Sequence, residues 1–314
     1  MSVKTATRHL LALRAMPHER LLNLLDAAAD CLPVVCGEAP HRDDLQSRII
    51  ANLFLENSTR TRCSFTVAAQ RLGAGTVDLL GGTSSSSKGE SLLDTAANVA
   101  AMGVDAIVLR CAASGGPAAI ANTLDLPIIN AGDGRHEHPT QGLLDAFTIV
   151  HHFDRTDLSG MHVAICGDIA ASRVARSGVY ALTQLGADVT LVGPPTLAPM
   201  SLEGLLDGLD NPGRVRVVTD LDAVLPTVDA LMLLRIQFER HGGGGVPSDY
   251  RAHWGLTEER AAELPEHAIV MHPGPVNRGL ELDATVCDAD HSVVLQQVTG
   301  GVAMRMAVLL DCLG

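Results

Sequence analysis

Ile49-Ile50-Ala51-Asn52-Leu53-Phe54-Leu55 is an apolar run of strand length, and Glu56-Asn57-Ser58-Thr59-Arg60-Thr61-Arg62 follows it directly. Beyond the polar turn, Phe65, Ala68, Ala69 and Leu72 recur at helical spacing. Strand, turn and amphipathic helix in succession are the building unit of an α/β fold, in which ligands bind outside the carboxyl ends of the strands. Ser58 or Thr59 can cap the helix, and its first free N–H groups and dipole then face an anion. Arg60 and Thr61 add donors suited to a phosphate.

The same alternation continues outward. Further short apolar runs lie at 106–109, 127–129, 162–166, 188–192, 215–218, 230–234 and 268–271, with amphipathic helical stretches at 92–102, 142–151 and 172–185. This predicts an α/β protein of two doubly wound domains, each with a central parallel sheet flanked by helices. The polar stretch 152–160 separates the two series. The expected domains are therefore 1–151 and 152–296, with the last helix, 297–314, packing back on the first. Upstream, Leu10, Leu11, Leu13, Leu21, Leu22, Leu24 and Leu25 surround Pro17, which predicts a helical opening whose second helix starts at that proline.

The 314 residues suit two domains, and 46% hydrophobic against 19% charged residues is a globular composition. The 23 Lys plus Arg against 36 Asp plus Glu leave a net charge of −13, which argues against binding nucleic acid or acidic lipid by net charge. No basic stretch and apolar core opens the chain, and no apolar run approaches the ~20 residues of a membrane span. The seven cysteines are odd in number and form no CxxC, so neither a disulfide framework nor a thiolate metal site is expected. A reducing cytoplasm is the expected compartment.

An anion site in so acidic a chain must be made locally, which directs attention to the placement of the cations. Only two are lysines, Lys4 and Lys88, the latter in the serine- and glycine-rich stretch 81–90. Arginines instead mark the strand ends: Arg110 after 105–109, and Arg235 with Gln237 after 231–234. Arg173 falls where a helix begins, shortly after Cys166-Gly167-Asp168. His136-Glu137-His138-Pro139-Thr140-Gln141 fails the H-E-x-x-H zinc pattern because position 140 is threonine. His138 and Gln141 there suit a substrate carbonyl or amide. Met271-His272-Pro273-Gly274-Pro275 stops a strand with prolines around a glycine and exposes carbonyls that suit an N–H₂ group. No nucleophile triad, metal cluster or glycine-rich G-x-G-x-x-G fingerprint competes, and no cofactor is expected.

The ordered set Ser58-Thr59-Arg60-Thr61-Arg62, Ser87-Lys88-Gly89-Glu90-Ser91, His138-Pro139-Thr140-Gln141, Leu234-Arg235-Ile236-Gln237 and His272-Pro273-Gly274-Pro275, with the stretch 297–308, resembles the aspartate carbamoyltransferase catalytic chains along nearly the whole sequence. The resemblance implies transfer of a carbamoyl group from carbamoyl phosphate to L-aspartate in de novo pyrimidine synthesis, by a cytoplasmic homotrimer with shared active sites. It implies that Ser58, Thr59, Arg60, Thr61 and Arg110 hold the phosphate, with Thr61, Arg110 and His138 reaching the carbonyl oxygen. Gln141 and the Gly274-Pro275 backbone would hold the carbamoyl amine. Arg173, Arg235 and Gln237 would grip the aspartate carboxylates, and Ser84 and Lys88 would come from a neighbouring subunit, Lys88 contacting both substrates. A regulatory chain or another enzyme of the pathway is a possible partner. No side chain is an obvious general base; the family reading lets the leaving phosphate collect the proton.

Ornithine carbamoyltransferases are the nearest rival, but their acceptor segment reads H-C-L-P where this chain has His272-Pro273-Gly274-Pro275, and Arg235 suits a dicarboxylate better than a cationic acceptor. A catalytically silent carbamoyltransferase-like partner subunit is opposed by Arg60, Lys88, Arg110, His138 and Arg235 all being present. A nicotinamide-dependent dehydrogenase lacks its glycine fingerprint. The tract Gly242-Gly243-Gly244-Gly245 departs from the family pattern and predicts a loop that is costly to order without ligand.

Overall fold

The computed structural model describes residues 8–14, 16–81, 90–238 and 245–314. Two compact units emerge, one running to Leu143 and rejoined by Thr299–Gly314, the other Leu144–Val298. Among the described residues no helix is long and apolar enough to cross a membrane.

The first unit begins with an extended segment and helix α1 (His18–Cys36). Strands β1 (Ile49–Phe54), β2 (Gly75–Leu80), β3 (Ala106–Cys111) and β4 (Ile128–Asp133) alternate with helices α2 (Thr59–Arg71), α3 (Leu92–Ala101) and α4 (Gly116–Ala121). All pairings are parallel, in the order β2-β1-β3-β4. Ala51, Leu53, Ile107, Leu109, Ile120 and Ile128 are buried in one core cluster. Each large aliphatic side chain so buried contributes about 1.5–3 kcal/mol against an exposed one. Among the described residues before Pro17 no helix forms where one was expected, and Pro17 is the N-cap of α1, not its first turn. Residues there take other partners: Leu10 bridges Ile129, its N–H donating to the Ile128 carbonyl at 3.0 Å. The buried Glu137 carboxylate then accepts the N–H groups of Leu13 at 2.7 Å and Arg14 at 3.1 Å. These tertiary hydrogen bonds override the leucine spacing.

Helix α5 (Pro139–His152) leads to the second unit. There β5 (His162–Cys166), β6 (Asp188–Val192), β7 (Val215–Val218), β8 (Ala230–Leu233) and β9 (Ile269–Met271) form a parallel sheet in the order β7-β6-β5-β8-β9. Helix α6 (Arg173–Gln184) follows β5, and the short helices α7 (Tyr250–Trp254), α8 (Glu258–Ala261) and α9 (Ala284–Cys287) precede α10 (Val294–Leu313). Helix α10 ends in the first unit, where the Arg305 guanidinium lies over the Phe65 ring at 5.3 Å.

Both sheets reverse their winding once. In the first, the chain passes from β1 outward to β2 and then back to β3 on the other side; in the second, β5 leads to β6 and β7, and the chain returns at β8. The crevices between β1 and β3 and between β5 and β8 are topological switch points, where loops leave neighbouring strands in opposite directions.

Candidate active site

The first switch point carries the first set of residues. Ser58 occupies the N-cap position of α2 but its side chain makes no capping hydrogen bond. The expected side-chain cap is therefore absent, and the Ser58 hydroxyl is not spent on the helix's own N–H groups. No acidic residue stands in the first turn of α2. The helix thus begins with unsatisfied donors, the positive end of its dipole, and the side chains of Thr59, Arg60 and the buried Thr61. Arg62 pairs with Asp78, whereas the exposed Arg60 enters no ion pair among the described residues.

Arg110 is brought beside this turn by strand register, since Phe54 of β1 pairs with Arg110 of β3 and the Leu55 N–H donates to the Arg110 carbonyl at 2.9 Å. Its guanidinium donates to the Ala131 carbonyl at 3.2 Å and lies 3.8 Å from Glu56, so it is braced from two sides. Strand β4 ends next to β3, with Cys111 paired to Asp133, and delivers His138 to the start of α5. The buried Asp133 organises that turn. It accepts the Gly115 N–H at 2.7 Å, the Asn130 amide at 2.9 Å and the Glu137 N–H at 3.0 Å, with the His136 ring 3.0 Å away. Burial pushes the Asp133 carboxyl up, but these hydrogen bonds, led by His136 and Asn130, outweigh it and hold it below the usual range. His138 and Gln141 are both buried, and the His138 carbonyl accepts the Gln141 N–H at 2.9 Å. Ser58 to Thr61, Arg110, His138 and Gln141 thus stand on three successive strand ends of one sheet.

The second unit repeats the scheme. After β5, Gly167 adopts φ +136°, and a Cβ there would lie 2.5 Å from the Leu234 carbonyl oxygen, so both the backbone and the space call for glycine. Asp168 follows, fully buried, and accepts the backbone N–H of Gln237 at 3.1 Å. Ser172 caps α6, accepting the Ala175 N–H at 3.1 Å, and Arg173 is the first residue of that helix. On the far side of the switch point, the Leu234 N–H donates to the Cys166 carbonyl at 2.8 Å. Ile236 is buried against Leu197 and Tyr250, which anchors the half-buried Arg235 and Gln237 on either side of it. Strand β9, adjacent to β8, ends at Met271 and is followed by His272 and the turn to Pro275, with Gly274 at φ 69° and a cis peptide bond before Pro275. Arg173, Arg235, Gln237, Gly274 and Pro275 therefore occupy strand ends of the second sheet.

Ser84, Lys88 and Gly242 to Gly244 lie outside the described residues, so the expected roles of the first two and the expected behaviour of the glycine tract gain no geometry here. Burial pushes the Cys166 thiol up to about 12, so it offers no thiolate at neutral pH. Among the described residues, no group of three or more His, Cys, Asp or Glu side chains is arranged to hold a metal ion. Two contributors carried no expected role: Glu56, which braces Arg110, and Asp168, which holds Gln237. The signal for Asp168 was its place after a strand-ending glycine at the centre of the second half.

The family model described as the aspartate/ornithine carbamoyltransferase carbamoyl-P binding domain matches residues 8–151. The companion Asp/Orn binding domain matches residues 159–312. The aspartate carbamoyltransferase catalytic subunit of Acidothermus cellulolyticus is 49% identical over 309 residues, covering 98% of this chain and 93% of that one. That of Opitutus terrae is 47% identical over 309 residues, covering 98% and 95%. Among solved structures, aspartate transcarbamoylase from Trypanosoma cruzi in complex with N-(phosphonacetyl)-L-aspartic acid is similar with a TM-score of 0.88 at 29% identity, covering 98% of this chain and 96% of that one.

Proposed function

This chain belongs to the aspartate/ornithine carbamoyltransferase family, and we propose the following reading of its chemistry. The protein is an enzyme that transfers the carbamoyl group of carbamoyl phosphate to the amine of L-aspartate, giving N-carbamoyl-L-aspartate and phosphate in pyrimidine synthesis. The observation that supports the residue assignment is that residues able to donate to oxyanions follow the strands that flank both switch points.

In this reading the N-terminus of α2, with Ser58, Thr59, Arg60 and Thr61, takes the phosphate together with Arg110. Arg173, Arg235 and Gln237 take the carboxylates of aspartate. Attack by the amine puts negative charge on the carbonyl oxygen of carbamoyl phosphate. Thr61, Arg110 and His138 stabilise that charge, which is larger in the transition state than in the ground state. Gln141 and the Gly274-Pro275 carbonyls hold the carbamoyl N–H₂ group, and the leaving phosphate takes the proton released by the attacking amine. Arg110 is suited to its part because Glu56 and the Ala131 carbonyl already hold it in place, so little reorganisation accompanies the reaction.

The acceptor is L-aspartate and not ornithine, because Arg235 matches a carboxylate and Pro273 stands where the ornithine enzymes carry the cysteine of their H-C-L-P segment. The working form is a cytoplasmic homotrimer in which Ser84 and Lys88 serve a neighbour's site, with a regulatory chain or another pathway enzyme as a further partner. Aspartate-dependent release of phosphate from carbamoyl phosphate tests the activity. Mixing inactive Lys88→Ala and Arg60→Ala proteins tests the sharing: recovered turnover supports it, and no recovery after subunit exchange contradicts it.

A further inference from the structure

Pro273 and Pro275 have no N–H, so the turn from His272 to Pro275 holds only two backbone donors. Both are taken up inside the protein. The His272 N–H donates to Gln297 Oε1 at 2.8 Å, and the Gly274 N–H donates to Nδ1 of the His272 ring at 2.8 Å. None of the four carbonyls of the turn accepts a hydrogen bond from a described residue. The turn's backbone therefore presents acceptors and no spare N–H, which suits an N–H₂ group and not an oxyanion.

That polarity depends on which way the Gln297 amide faces. A primary amide offers oxygen on one side and N–H₂ on the other, and either sense has nearly the same shape. Here Gln297 Nε2 donates to Asp145 Oδ1 at 2.8 Å. Asp145, His272 and Gln297 are 0%, 1% and 3% exposed, so all three are shielded from bulk water. A carboxylate only accepts and a backbone N–H only donates, so one amide orientation makes both bonds and the reverse forfeits both. Asp145 lies one helical turn after Gln141 on α5, and Gln297 lies near the start of α10.

We propose that Asp145 and Gln297 are positioning residues for carbamoyl transfer: the pair consumes the His272 N–H and so keeps the 272–275 turn free of donors towards the carbamoyl amine. This rests on the reading above that the Gly274-Pro275 backbone receives that amine. Neither residue touches the substrate in this account; they act through His272.

The test compares Kd for carbamoyl phosphate and for inorganic phosphate, together with kcat, in Gln297→Glu and in D145N/Q297E. Phosphate lacks the amine and serves as the internal control. Gln297→Glu sets a second carboxylate against Asp145, and the repulsion draws its oxygens away from the His272 N–H, so carbamoyl phosphate binding and kcat fall about tenfold while phosphate binding stays within about twofold. D145N/Q297E reverses the polarity of the pair with all hydrogen bonds remade, an asparagine amide donating to a carboxylate that still accepts the His272 N–H. It recovers both quantities to within about threefold of wild type. Unchanged preference in folded Gln297→Glu, equal loss for both ligands, or no recovery in the double variant would overturn the proposal. If Gln297→Glu does not fold, the double variant decides alone, and its failure to fold also counts against the pair as described. A wild-type protein that binds carbamoyl phosphate no better than phosphate overturns the underlying reading instead.

Discussion

Asp168 Oδ2 accepts the backbone N–H of Gln237 at 3.1 Å, so a fully buried carboxylate at the end of one strand holds the segment that leaves its neighbour across the switch point. The link ties the β5 turn, which opens α6 at Arg173, to the Arg235–Gln237 segment. Asp168→Ala leaves the Gln237 N–H without this acceptor, a loss of about 1–3 kcal/mol. Since 1.4 kcal/mol is about tenfold, the aspartate KM should rise about tenfold or more with carbamoyl phosphate affinity unchanged. Steady-state kinetics with each substrate varied in turn measures the split.

Gly167→Ala strikes the same segment from the other side. The added Cβ would lie 2.5 Å from the Leu234 carbonyl at a φ of +136°, so backbone must move. Expected are a loss of about 1–3 kcal/mol in unfolding free energy and a raised aspartate KM. Denaturant titration and kinetics read the two effects separately.

Arg110→Ala removes a braced cation from the place where charge develops. Loss of one such donor costs about 10²–10³ in kcat. Glu56→Gln keeps Arg110 bonded to the Ala131 carbonyl and should cost far less, under about tenfold. A larger loss from Glu56→Gln than from Arg110→Ala would reverse the assigned roles.

Asp133 gives a pH signature. Its folded carboxyl is held below the ordinary value, so its contribution to stability is complete above the unfolded carboxyl's pKa and is lost as pH falls through the folded one. Asp133→Asn should therefore be less stable than wild type by about 1–3 kcal/mol at pH 7. The gap should narrow below about pH 4. Chemical unfolding at a series of pH values checks the direction.

The sequence made the alternation of strands and helices legible because most strands are short, largely apolar runs that are buried along nearly their whole length. His162–Cys166, Asp188–Val192 and Val215–Val218 match the expected ranges. Strand β2 was not visible, since it is the edge of its sheet and its residues are mostly exposed, with Asp78 facing Asn52 and Arg62. Leu10, Leu11 and Leu13 misled because their spacing suits a helix, whereas Glu137, 124 residues away from Leu13, accepts the Leu13 N–H and the Ile128 carbonyl accepts that of Leu10. The cations and amides at strand ends could be found from local pattern alone. Their supports could not: Asp168 with Gln237 and Asp145 with Gln297 join residues 69 and 152 positions apart, a distance that no local spacing encodes.

The most direct test offers the purified protein equal concentrations of L-aspartate and L-ornithine with carbonyl-labelled ¹³C carbamoyl phosphate, and follows the label by NMR. The account predicts that the label appears in N-carbamoyl-L-aspartate, with citrulline absent, and that Arg235→Ala suppresses that signal. Label appearing in citrulline alone, or remaining in carbamoyl phosphate and its spontaneous breakdown products, would contradict it.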